Sequence, residues 1–180
     1  MNSIETTRFG TVAITEEHVI RFEDGIIGFP ALKEYVLIES PAMPLVLWLQ
    51  AVGNAEIAFP VAEPWFFKRD YKIAMNEADK HTLRYTEGDA LKTFLILTIP
   101  EDMSKMTVNM RAPLVLNINQ STGTQAVLQD KTLEVRSPAH EAFSKALSQL
   151  TLTQSTADFD DDSDTVWNPV NVRGASAEAK

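Results

Sequence analysis

Short apolar runs, broken every few positions by turn-forming residues, occupy most of the first 137 positions. Residues 11–14 and 18–22 are rich in β-branched and aromatic side chains, and Asp24-Gly25 with Gly28 punctuates the turn after them. Runs at 35–38, 45–50 and 56–61 follow closely. Pro41 and Pro44 separate the first pair of these, and Gly53-Asn54 separates the second as a hairpin connection. Residues 91–99 form the longest apolar run, whose continuity predicts burial on both faces. With 107–110, 113–119, 124–129 and 133–136 the count reaches about ten short strands, the spacing of an all-β, compact antiparallel barrel or sandwich, with a small antiparallel β-barrel-like domain the expected form.

Two stretches depart from this pattern. Residues 76–83 pair a capping Asn76 with Glu77 and Asp79, which predicts a short helix with acids in its first turn. Beyond Pro138, residues Ala139, Phe143, Ala146, Leu147 and Leu150 recur at helical spacing and share one face. The chain therefore divides into a barrel domain, 1–137, and a C-terminal extension, 138–180, made of an amphipathic helix and an acidic tail. In the tail Asp158, Asp160, Asp161, Asp162 and Asp164 crowd together, and residues 154–180 carry a net charge of -4 against -5 for the rest. Like-charge repulsion with few apolar residues predicts disorder in isolation. Val166, Trp167 and Val170 are the apolar exception, placed to anchor the tail on the body or on another protein.

Charge narrows the partners. A formal net charge of -9 repels phosphate backbones and attracts basic proteins, so direct nucleic-acid binding is not expected. The chain has no cysteine, which excludes disulfides, thiolate metal sites and cysteine nucleophiles and is compatible with a reducing cytoplasm. No segment approaches 18 consecutive apolar residues, so no membrane span is expected and the protein reads as a cytoplasmic monomer.

Catalytic patterns are missing from the sequence. His18, His81 and His140 stand far apart without metal-ligand spacing, and His18, within a strand-like run, reads as a barrel-wall residue. The glycines form no phosphate loop, and no G-x-S-x-G elbow occurs. The acidic run around Asp160 lacks the central Gly and terminal Glu of a calcium loop. Neither enzymatic activity nor a cofactor or metal is expected. Among the aromatics, Pro64-Trp65-Phe66-Phe67 sets three large rings in succession, more than one core can hide, so one or more is expected to be exposed.

The most specific stretch is Asn109-Met110-Arg111-Ala112-Pro113-Leu114-Val115-Leu116-Asn117, followed by Gly123-Thr124-Gln125. One reading is structural: the two Asn bond nearby backbone groups and Pro113 opens a strand. The other is functional, an edge strand whose Asn109, Arg111, Pro113, Asn117 and Gln125 meet a visiting segment. Taken with Phe22, Gly25, Gly28, Phe29, Leu49, Gln50, Phe59, Pro64 and Tyr71, this pattern resembles the flagellar assembly factor FliW family over about residues 19–138. Ala51, Met110 and Leu133 depart from the usual residues, and the segment from Ala139 onward exceeds the usual length.

The resemblance implies a non-enzymatic cytoplasmic barrel that binds flagellin before export. It also implies binding and antagonism of CsrA, a basic RNA-binding translational repressor, which couples flagellin synthesis to filament assembly. Asn109, Arg111, Pro113, Asn117 and Gln125 are the candidate flagellin contacts, and Asp158, Asp160, Asp161, Asp162 and Asp164 the candidate contacts to the basic partner. From the residues alone a second class stays open: a small barrel that carries a hydrophobic ligand, which a cavity rather than a filled interior would mark.

Overall fold

The structure is a computed structural model and describes residues 2–153 and 169–171. Two strands, β1 (Asn2–Thr6) and β2 (Gly10–Ile14), form an N-terminal hairpin. After a 3-10 turn at Glu16–His18 come β3 (Val19–Phe22), β4 (Glu34–Glu39), β5 (Leu47–Ala51) and β6 (Ala58–Ala62), an antiparallel meander. A second 3-10 turn, Pro64–Phe66, and helix α1 (Glu77–Thr82) lead to β7 (Leu91–Thr98), β8 (Thr107–Val108), β9 (Leu114–Asn117) and β10 (Thr122–Gln125). The described chain ends with β11 (Ser137–Pro138), α2 (His140–Thr153) and β12 (Val170–Asn171).

Seven strands close a barrel in the order β3-β4-β5-β6-β7-β9-β10, and β10 returns to β3 in parallel register. Alternation sends every second residue inward. Ile20, Phe22, Tyr35, Leu37, Leu49, Val61, Phe94, Leu114 and Leu116 fill the interior. Phe22 meets Tyr35 edge-on at 5.3 Å, and Gly123 leaves room for the Phe22 ring. Outward-facing apolar residues need cover as well. On one flank Val36, Ile38, Trp48, Leu95 and Leu97 are covered by the β1–β2 hairpin and by Phe143 of α2. The guanidinium of Arg8 stacks 3.9 Å from the Trp48 ring. On the other flank Leu83, just past α1, packs on Val115 and Ala126.

Two strands change partner part-way. β7 pairs with β9 over 91–94 and with β8 over 97–98, while β4 pairs with β3 over 34–36 and with β12 over 38–39. β8 in turn carries β11.

The helix at 76–83 forms as its cap predicts: the Asn76 side chain accepts from the Asp79 N–H, and Asp79 accepts from the Asn76 N–H. The amphipathic helix is also present, and its apolar face covers this domain. Other expectations need correction. His18 lies in the 3-10 turn and not in a strand, because its Nδ1 accepts the Thr15 N–H and caps that turn. Residues 133–136 form turns, and the strand comes later, at β11. β1 falls before the first expected strand; its Ile4 is buried against the barrel. The expected small antiparallel barrel itself stands, with β3–β10 as the parallel seam that closes it, and β12, outside the barrel, also pairs with β4 in parallel. β7 is only partly buried on both faces, with Phe94 inward, Leu95 and Leu97 outward, and residues 91–93 half-buried.

Candidate functional site

The specific segment of the sequence meets two other loops at one end of the barrel. Gly25 begins the first of these, with φ +71° and no space for a side chain: a Cβ would lie 2.6 Å from the Phe29 carbonyl oxygen. The turn it permits places Ile27 outward, 63% exposed. The Ile27 N–H donates to Gln125 Oε1 at 2.9 Å, and Gln125 Nε2 donates to the Ala112 carbonyl at 3.2 Å. Gln125 thus ties loop 25–29 to loop 109–113. It shares inward parity with Gly123, at the point where the barrel interior opens to its end.

Loop 109–113 is organised by its own first residue. Asn109 Oδ1 accepts from the N–H groups of Arg111 and Ala112, both at 3.1 Å. The carbonyls of Arg111 and Pro113 accept from Leu128 and Ala126, extending the β9–β10 pairing past the formal strands. Met110 is fixed from two sides: its N–H donates to the Glu134 carbonyl and its carbonyl accepts from Tyr71 Oη at 2.6 Å. Burial pushes the Tyr71 phenol up to about 12. Beside Arg111, Asp130 is held below the usual carboxylate range, first by the Thr132 hydroxyl and backbone N–H and then by Lys68 and Arg111.

Exposed aliphatic side chains stand on and beside these loops. Besides Ile27, Val127 and Val135 are more than half exposed, and Val127 follows Gln125 by two positions. Trp65 is the exposed ring of the aromatic stretch, at 48%, whereas Phe66 and Phe67 pack on the core.

These contacts sort the residues read from the sequence. Asn109, Arg111, Pro113 and Gln125 come together at this barrel end, with Pro113 buried and the other three half-buried. Asn117 does not join them. It is 1% exposed, donates to the Leu83 carbonyl and Asp89 Oδ2, and accepts from the N–H groups of Asn119 and Gln120, so it fastens α1 to β9. Nor is β9 an edge, because β7 and β10 flank it. Asp158, Asp160, Asp161, Asp162 and Asp164 lie outside the described residues. Ile27, Val127 and Val135 escaped the sequence reading. The neighbouring Ile26 and Ile27 inside a Gly-bounded turn were the available signal, since two adjacent residues of a turn do not both face one core.

Fold and site together define a small closed β-barrel filled by its own side chains, with an aliphatic rim set on hydrogen-bonded loops. Among the described residues no His, Asp and Glu cluster forms a metal site, and no helix is long and apolar enough to cross a membrane. The profile described as "FliW protein" matches residues 3–139. The flagellar assembly factor FliW of Bdellovibrio bacteriovorus is 42% identical over 135 residues, covering 75% of this chain and 77% of that protein. Its counterpart in Alkaliphilus metalliredigens is 33% identical over 156 residues, or 86% and 96% of the two chains. A crystal structure of the flagellar assembly factor FliW superimposes with a TM-score of 0.71 at 27% identity, covering 77% of this chain and 96% of that one. The chain belongs to the FliW family of flagellar assembly factors.

Proposed function

We propose that the barrel end built by residues 25–29, 109–113 and 125–128 binds flagellin, and that the chain also antagonises CsrA, so that flagellin synthesis follows filament assembly. The observation that carries the reading is the aliphatic rim, Ile27 and Val127 with Arg111 between loops, on a member of a family named for flagellar assembly. Exposed aliphatic side chains on loops held by side-chain hydrogen bonds offer a preorganised apolar contact for a partner polypeptide. The filled interior argues against a carrier of hydrophobic ligands, because Phe22, Tyr35, Leu49, Phe94, Leu114 and Leu116 occupy the space such a ligand needs. An acidic chain also suits a basic RNA-binding partner through long-range attraction.

The test is calorimetric titration of the full chain with purified flagellin and, separately, with CsrA. Ile27→Asp combined with Val127→Asp should weaken flagellin binding at least tenfold, about 1.4 kcal/mol or more, while thermal unfolding stays close to the parent. Unaltered flagellin affinity in the folded double variant would move the flagellin surface elsewhere.

A further inference from the structure

The outer edge of β4 holds a second candidate surface. β3 covers β4 only as far as Val36, leaving the Ile38–Glu39 end of that edge to another partner. β12 takes the place, with Val170 opposite Ile38 and Asn171 opposite Glu39 in parallel register. Val170 is 9% exposed and packs into the same apolar cluster as Ile38, Trp48 and Phe143. The seat therefore satisfies a newly added strand in two ways, by backbone pairing and by an apolar socket.

Both elements that cover this flank after the barrel, α2 and β12, lie past residue 139, where the family match ends. The strand they cover lies within that match. A groove of about 430 Å³ shares Glu39 with the seat and continues from it, lined by Met43, Leu47, Phe66 and Leu150 together with the carboxylate of Glu63. Burial raises the Glu63 carboxyl above the usual carboxylate range, and Lys92 and Trp65 oppose that rise. A cation entering the groove favours the ionised form of Glu63.

We infer that the Ile38–Glu39 end of β4 is a strand-addition site, held in this chain by its own Val170–Asn171 and open to an extended segment of a partner polypeptide. The segment it fits runs parallel to β4, sets a β-branched apolar residue opposite Ile38 and carries Lys or Arg beyond it. The resident strand is tethered, and short tethers act at on the order of millimolar effective concentration. A competing segment gains the seat only when further contacts of its protein add to the strand itself. The covered seat is thereby a threshold that selects large, multiply attached partners over stray peptides.

The probe is a labelled synthetic peptide of residues 166–173, used with the full-length chain and its Val170→Asp and Val170→Thr variants. Hydrogen exchange is followed at the amides of 38–39 and 170–171, with amides of the barrel interior as the fold control. The parent protein should bind the peptide weakly. Val170→Asp should lose protection at 170–171, bind the peptide at least tenfold more tightly, and become protected at the end of β4 when it does. Val170→Thr, nearly isosteric, should fall between the two and serves if the Asp variant fails to fold. A peptide with Asp at the Val170 position should not bind. Absence of peptide binding to a folded variant that has lost protection at 170–171 would overturn the site, as would full protection of 170–171 in both variants.

Discussion

The ring of Phe22 lies where a side chain on Gly123 would begin: a Cβ there would stand 2.5 Å from the Phe22 Cζ. The two residues are register partners across the parallel seam that closes the barrel. The seam therefore accepts a large ring on one strand only because the other offers none.

Gly123→Ala should destabilise the barrel by about 1–3 kcal/mol, the usual effect of forcing a methyl into a packed core. Urea denaturation measures it. Adding Phe22→Leu should recover part of the loss, and a double-mutant cycle that shows simple additivity would deny the contact.

Gln50 is wholly buried on the outward face of β5, and its Nε2 donates to the carbonyls of Ala51, Asn54 and Ile57. It ties the β5–β6 connection together. Gln50→Leu keeps the approximate volume but leaves those carbonyls short of a donor, so a loss of about 1–3 kcal/mol is expected. The loss is moderated because Gln50 Oε1 itself has no hydrogen-bond partner among the described residues. Chemical denaturation is the readout.

The two signature asparagines should differ in cost. Asn117→Ala breaks the bonds to Leu83, Asp89, Asn119 and Gln120 in a buried position and should cost about 2–3 kcal/mol. Asn109→Ala removes acceptance from the Arg111 and Ala112 N–H groups in a half-buried loop and should cost about 1 kcal/mol. Thermal unfolding of both variants decides the order. Equal, negligible losses would show that these hydrogen bonds contribute little to stability.

Alkaline stability follows from two phenols. Burial pushes Tyr35 and Tyr71 each up to about 12 from an ordinary value of 10.0. A raised folded-state value means that the unfolded chain ionises first, so the contribution is fully present below pH 10 and is lost as pH rises through about 12. Stability measured by urea at successive pH values should fall across that window, and Tyr71→Phe should flatten the fall. Tyr71→Phe should also remove the bond to the Met110 carbonyl and loosen loop 109–113.

Much of this fold is legible in the sequence because strand runs and turn signals are local. The meander β3 to β6 follows from alternation between Pro and Gly breaks, and α1 from the Asn76 cap. What alternation does not specify is which strands meet. Nothing near Leu114 announces that both its neighbours are strands, so an internal strand reads as an edge. The same limit hides Asn117, whose four partners come from α1, its following loop and the β9–β10 turn. His18 misleads for a local reason, since its ring caps the preceding turn and the strand begins one residue later. Gln125 is recognisable as distinctive, but its role as a bridge between Ile27 and Ala112 depends on the closed barrel.

The parallel seam also sets an order in time. Phe22 and Gly123 become neighbours only after nearly the whole barrel sequence exists, and the Gln125 bond to Ile27 spans 98 positions. A nascent chain emerging from the ribosome forms the β4–β5–β6 hairpins early, because their contacts are close in sequence. Its interior stays open until β10 arrives, leaving Phe22 and Leu49 exposed to other unfinished chains. The aliphatic rim, built from loops at both ends of that interval, is the last part to assemble. A translation product truncated before β10 accordingly has hairpins but no rim, so the proposed recognition through this surface would report a closed barrel.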